Sequence, residues 1–151
     1  MTSAASRLTS AAAPRAPVKE DLATLMKAAM THRDTGRFKE ARDIFSAIRA
    51  LCPTEPHAEI GLGSTYFSEG RFEAAIGHYR QALKLNPCNA YAYALLGESQ
   101  IFQAEFSGAR VSLRRACEID PKGPYGRLAQ QLLRLLEFLP TRELTGQHRQ
   151  L

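Results

Sequence analysis

The sequence has 151 residues, the length of one domain or one short repeat array. Its 23% charged and 44% hydrophobic residues exclude a disordered or fibrous chain. Lys and Arg number 20 against 15 Asp and Glu, but the surplus of +5 is scattered: residues 1–21, 22–55, 56–89, 90–123 and 124–151 carry +1, +2, 0, 0 and +2. A nucleic-acid binder gathers cations on one face to displace counterions from phosphates. The charge therefore reads as a solubility feature, and nucleic acid is not an expected partner.

From the N-terminus, residues 1–19 are rich in Ala, Ser and Thr, carry Arg7, Arg15 and Lys19, and contain no acid. Lacking the apolar segment of a secretory signal, they read as a disordered tail, with an organellar transit peptide as the alternative. Beyond them the chain is periodic. Pro53, Pro87 and Pro121 are 34 residues apart, as are Phe38, Phe72 and Phe106, and Ala41, Ala75 and Ala109. Leu51, Leu85 and Ile119 form a fourth series, and Gly36, Gly70 and Ala104 a degraded fifth.

Within one period, Phe72, Ala75, Ile76, Tyr79, Ala82 and Leu83 recur at helical spacing and predict an amphipathic helix over 71–85. The segment 57–69 before it holds Gly63 inside a helix, at a cost of about 1 kcal/mol relative to Ala. That cost is offset if a neighbouring helix packs against the bare backbone. Gly70 and the pair Asn86, Pro87 supply turn residues, so each period is two antiparallel helices. Residues 124–139 carry Leu128, Leu132, Leu133, Leu135, Leu136, Phe138 and Leu139 before Pro140, without the Gly and Ala signature of a repeat. They read as a helix capping the open end of the array. Leucines on more than one of its faces leave a homodimer contact as the alternative. Residues 140–151 read as a polar tail.

A 34-residue period is that of the tetratricopeptide repeat (TPR), which the chain resembles. Residues 56–89 show Leu62, Gly63 and Tyr66, then Ala75, Tyr79 and Pro87; residues 90–123 keep Leu96, Gly97, Ala109, Ala116 and Pro121, with Gln100 at the tyrosine position; residues 22–55 keep Ala41, Phe45 and Pro53, with Ala28, Ala29 and His32 where Leu, Gly and Tyr are usual. The resemblance implies an all-α fold: a right-handed superhelix of three TPR helix pairs plus the capping helix, spanning 20–139.

Catalytic chemistry is not apparent. Cys52, Cys88 and Cys117 are odd in number and none form a C-x-x-C, which argues against a disulfide framework or a zinc module and for the cytoplasm. His32, His57, His78 and His148 pair with no Cys or carboxylate at a triad or metal spacing; Cys52 with His57 across the turn is two ligands short of a zinc site. Gly61 and Gly63 lie in a helical pattern rather than after a strand, so they form no phosphate cradle. No enzyme activity, metal or cofactor is expected. No stretch approaches 18 apolar residues, so no membrane span is expected either.

In the TPR family the first helix of each repeat lines a concave, peptide-binding surface. The resemblance places Ala23, Met26, Met30, Arg33 and Asp34 there from the first repeat, and His57, Ile60, Ser64, Phe67 and Ser68 from the second. The third contributes Tyr91, Ala94, Leu95, Glu98, Ile101 and Phe102. Ile101 and Tyr91 also fit an inter-repeat core. TPR co-chaperones that grip a C-terminal carboxylate use Lys, Asn and Arg where this chain has Met26, Met30, Gly61, Tyr91 and Leu95. The trough is instead apolar and suits a protein client with apolar segments.

The layout further resembles the class II chaperones of bacterial type III secretion, through Gly61, Leu62, Gly63, Gly70, Phe72, Ala75, Tyr79 and Ala82, and through Leu96, Gly97, Glu98, Ser99 and Ala109. Those proteins hold translocators in the cytoplasm, and many dimerise through their N-terminal region. The resemblance implies such a chaperone; a general TPR scaffold is the alternative.

Overall fold

The computed structural model describes residues 19–139, so the expectations for residues 1–18 and for 140–151 lie outside the described residues. Seven helices and no strand occur among them: α1 (Lys19–Asp34), α2 (Phe38–Leu51), α3 (Pro56–Ser68), α4 (Phe72–Leu85), α5 (Ala90–Phe102), α6 (Phe106–Ile119) and α7 (Pro124–Phe138). Lys19, assigned to the tail from composition, opens α1.

Repetition in the sequence becomes repetition in local structure. Phe38, Phe72 and Phe106 each open the second helix of a pair, which ends two residues before Pro53, Pro87 or Pro121. The residue before a proline is pushed out of the α region. Cys52, Asn86 and Asp120 accordingly take φ of −134°, −140° and −128°. Between the helices of a pair, Gly36 and Gly70 both adopt φ of 77°, and Ala104 is forced to a φ of 59° at the equivalent place. An L-residue pays roughly 1 kcal/mol for that left-handed conformation. Ala104→Gly is therefore expected to raise the thermal midpoint, and an unchanged or lower midpoint would show that the turn is unstrained.

Packing follows nearest neighbours, as in any repeat array. Ala41, Ala75 and Ala109 are fully buried where paired helices meet. Gly63 lies under the Tyr79 ring: a Cβ there would stand 2.6 Å from the ring edge, which accounts for a glycine in mid-helix. Three clusters fill the interior. Ala29, Phe45, Ile48, Ala58 and Leu62 join the first pair to the second. Ile60, Ile76, Tyr79, Ala92 and Leu96 join the second to the third. Ala94, Leu113, Ala116, Ala129 and Leu136 join the third to α7.

Helix α7 packs on both α5 and α6, as the first helix of a fourth pair would. In α5, the residues facing its partner include Gly97, against Leu113, and Gln100, which accepts a hydrogen bond from Ser112 Oγ at 2.7 Å. Thirty-four residues beyond Tyr93, Leu96, Gly97 and Gln100 stand Arg127, Gln130, Gln131 and Arg134, all exposed. That polar face is where a fourth pair would close. Asp120 Oδ2 accepts from the Tyr125 and Gly126 amides at 3.1 and 3.4 Å, holding the first turn of α7, while Arg110 donates to the Leu136 carbonyl at 3.0 Å in its last turn. Leu128, Leu132, Leu133, Leu136 and Leu139 pack onto the core, leaving Leu135 and Phe138 exposed at the free end.

Candidate functional site

Helices α1, α3, α5 and α7 touch in succession and form the inner wall of the array. A cleft of about 70 Å³ opens on that wall. Seven of the expected groove residues line it together: Met26, Met30 and Arg33 from α1, His57, Ile60 and Ser64 from α3, and Tyr91 from α5. Phe45 and Gly61 form the floor. Met30 is 44% exposed, so its thioether is presented rather than packed.

Polar groups sit at the base of the cleft. Ser64 and Tyr79 hydroxyls share a hydrogen bond of 3.2 Å. Burial pushes the Tyr79 hydroxyl far above the ordinary tyrosine range, and burial followed by the neighbouring Tyr125 raises that of Tyr91. Both stay neutral at physiological pH; Tyr79 is only 1% exposed and spends its hydroxyl on Ser64, so Tyr91 is the one that lines the cleft for a peptide N–H or C=O. Arg33 is held by Asp34 at 2.9 Å. Glu98, half-buried on α5, has its carboxyl raised by burial alone.

Other expected residues lie outside this cleft. Phe67 and Phe102 lie at the turn edge of the wall, in an aromatic cluster with Phe72: Phe102 stacks on Phe72 at 4.7 Å and meets Phe67 edge-on at 5.3 Å. Ala94 is fully buried beneath α7 and offers no surface to a ligand, a correction that follows from the cap occupying the place of a fourth first helix. Ile101 packs into the same cluster and Leu95 against the middle one, so these two residues shape the wall more than they line it.

Two arrangements were not legible in the sequence. Tyr125 of α7 stacks on Tyr91 at 4.7 Å and extends the wall; the signal is its offset of 34 residues from Tyr91. His78, expected to have no carboxylate partner, places Nδ1 2.8 Å from Glu59 Oε2, and Arg49 reaches the other oxygen at 3.3 Å. This bridge ties α2, α3 and α4 together around a carboxylate that is only 7% exposed. His57 turns to Glu55 at 3.3 Å rather than to Cys52. Among the described residues no three His, Cys, Asp or Glu side chains gather as a metal site requires, and no helix is long and apolar enough to cross a membrane.

Stacked antiparallel pairs with small residues at the crossings, left-handed turns and an inner wall of first helices define a TPR superhelix. Residues 63–100 match the family described as TPR repeat, and the resemblance read from the 34-residue period stands. Solved structures share the fold at low identity. The first TPR domain of Spaghetti (RPAP3), bound to the HSP90 peptide SRMEEVD, matches with a TM-score of 0.70 at 20% identity, over 81% of this chain and 94% of that one. The Yersinia enterocolitica type III secretion chaperone SycD, in complex with a peptide of the translocator YopD, matches with a TM-score of 0.70 at 21% identity, over 80% of this chain and 92% of that one. PcrH, in complex with the chaperone binding region of PopB, matches with a TM-score of 0.70 at 20% identity, over 80% of this chain and 98% of that one. No curated protein matches the sequence.

Proposed function

We propose that this protein is a non-enzymatic, cytoplasmic chaperone that holds an apolar segment of a secreted client, such as a type III secretion translocator, in its concave groove. The observation that carries the proposal is the cleft itself: Met26, Met30, Ile60 and Tyr91 present apolar surface around neutral hydroxyls, the chemistry that suits a peptide with apolar anchors. Of the proteins of similar fold, SycD is in complex with a peptide of the translocator YopD and PcrH with the chaperone binding region of PopB. The RPAP3 domain instead holds an acidic heat-shock peptide. With Met26, Met30, Gly61, Tyr91 and Leu95 in place of the carboxylate clamp, this groove is ill suited to such a tail.

The test is capture from the native cell by the full chain and by Met30→Glu, with identification of what co-purifies. Met30 is already exposed, so the variant is expected to unfold at the same temperature while losing its client on the order of tenfold or more in affinity. Recovery of a secreted protein by the wild type and its loss from the variant supports the chaperone reading. Equal recovery by both overturns the groove as the site, and recovery of a non-secreted assembly favours the adaptor reading.

A further inference from the structure

Among the described residues, Glu98 on the inner wall has no counter-charge. Glu98 stands seven residues after Tyr91 on α5, two helical turns along the same face. It is half-buried and makes no hydrogen bond or ion pair among the described residues, and burial acts on its carboxyl with no neighbouring cation to offset it. Arg33, the cation of the cleft, is committed to Asp34. On α6, Arg110 donates to the Leu136 carbonyl and Arg115 pairs with Glu118. Glu59 provides the contrast: this more deeply buried carboxylate is met by both Arg49 and His78. An unpaired carboxylate withdrawn from water is costly unless something neutralises it.

The surroundings favour a cation. Tyr91 and Tyr125 stack beside this end of the groove at 4.7 Å, with Tyr125 38% exposed. Aromatic rings attract a cation through their quadrupole, more strongly where water is partly excluded. A long side chain whose stem lies on apolar surface while its charged head reaches an acid fits both features.

We propose that the α5–α7 end of the groove is a cation subsite, in which Glu98 and the Tyr91–Tyr125 stack take the Lys or Arg side chain of the bound segment. This rests on the groove being the peptide site. The subsite would set the direction in which a segment lies, because Glu98 stands two helical turns along α5 from Tyr91, which shares the cleft with the apolar anchors Met26 and Met30.

The experiment is selection of a displayed library of random dodecapeptides on the full chain, on Glu98→Gln and on Met30→Glu. The wild type is expected to enrich apolar peptides carrying Lys or Arg at a constant distance from the apolar anchor. Glu98→Gln should keep the anchors and lose the basic preference. A selected Lys peptide should bind Glu98→Gln on the order of tenfold more weakly than wild type, and its Lys→Met analogue should bind both proteins alike. Glu98→Gln should melt no lower than wild type, since it removes an unpaired charge. Enrichment of apolar peptides without a basic residue, or a basic preference that survives Glu98→Gln, overturns the subsite and leaves the groove reading intact. Enrichment indifferent to Met30→Glu, or no enrichment at all, overturns the groove reading and the subsite with it.

Discussion

Phe45→Ala is expected to destabilise the chain by about 3–5 kcal/mol, the cost of emptying a fully enclosed aromatic site. Phe45 is among the largest side chains with no exposed surface. Its ring lies directly against Gly61, so close that a Cβ at that position would overlap it, and it also floors the cleft between α1 and α3. Nothing can collapse into the space without moving α3. The denaturant midpoint should fall by a large fraction of its value, since a domain of this size has a total stability of about 5–15 kcal/mol. A fall no larger than that of an exposed control such as Lys84→Ala would mean that the first and second pairs do not pack through this ring. Because the same ring is both core and floor, any Phe45→Ala protein that remains folded should also show weaker selectivity among apolar peptides.

The second large effect is expected at the cap. A Cβ at Gly126 would run into the backbone carbonyl of Asp120, and a carbonyl, unlike a side-chain tip, cannot rotate away. Gly126→Ala should therefore displace α7 and cost about 1–3 kcal/mol. Its signature is specific. Cys117 donates its thiol to the Gly126 carbonyl at 3.6 Å and is partly buried, with its pKa raised by that burial. In a background with Cys52 and Cys88 replaced by Ser, Gly126→Ala should label faster with a thiol reagent. An unaltered labelling rate together with an unaltered midpoint would show that the loop from α6 to α7 accommodates the methyl group.

The architecture was legible because each packing requirement recurs. Three alanines at one interval are three buried helix crossings, and three prolines are three helix ends. Even the lapse at Ala104 was visible, as the non-glycine in a glycine series. The site was less legible because spacing on a helix says which residues share a face but not what lies above that face. Met26 and Ala94 occupy equivalent places in their helices, yet one opens on the cleft and the other is roofed by α7. Contacts between side chains far apart in sequence were invisible for a similar reason. Glu59 and His78 belong to different helices and meet only once α3 and α4 are laid side by side, with Arg49 arriving from α2. Ser64 of the cleft and Tyr79 beneath it come together in the same way.

The exposed face of Arg127, Gln130, Gln131 and Arg134 has a consequence for engineering and for evolution. These four side chains stand where a continuing helix would meet its partner, and α7 already docks on α5 and α6 as a repeat helix does. Exchanging them for the Tyr, Leu, Gly and Gln found one period earlier, and appending a second helix copied from α6, should add a fourth module. Groove length in this molecule is thus a quantity adjustable in single periods, and the segment it can enclose is adjustable with it.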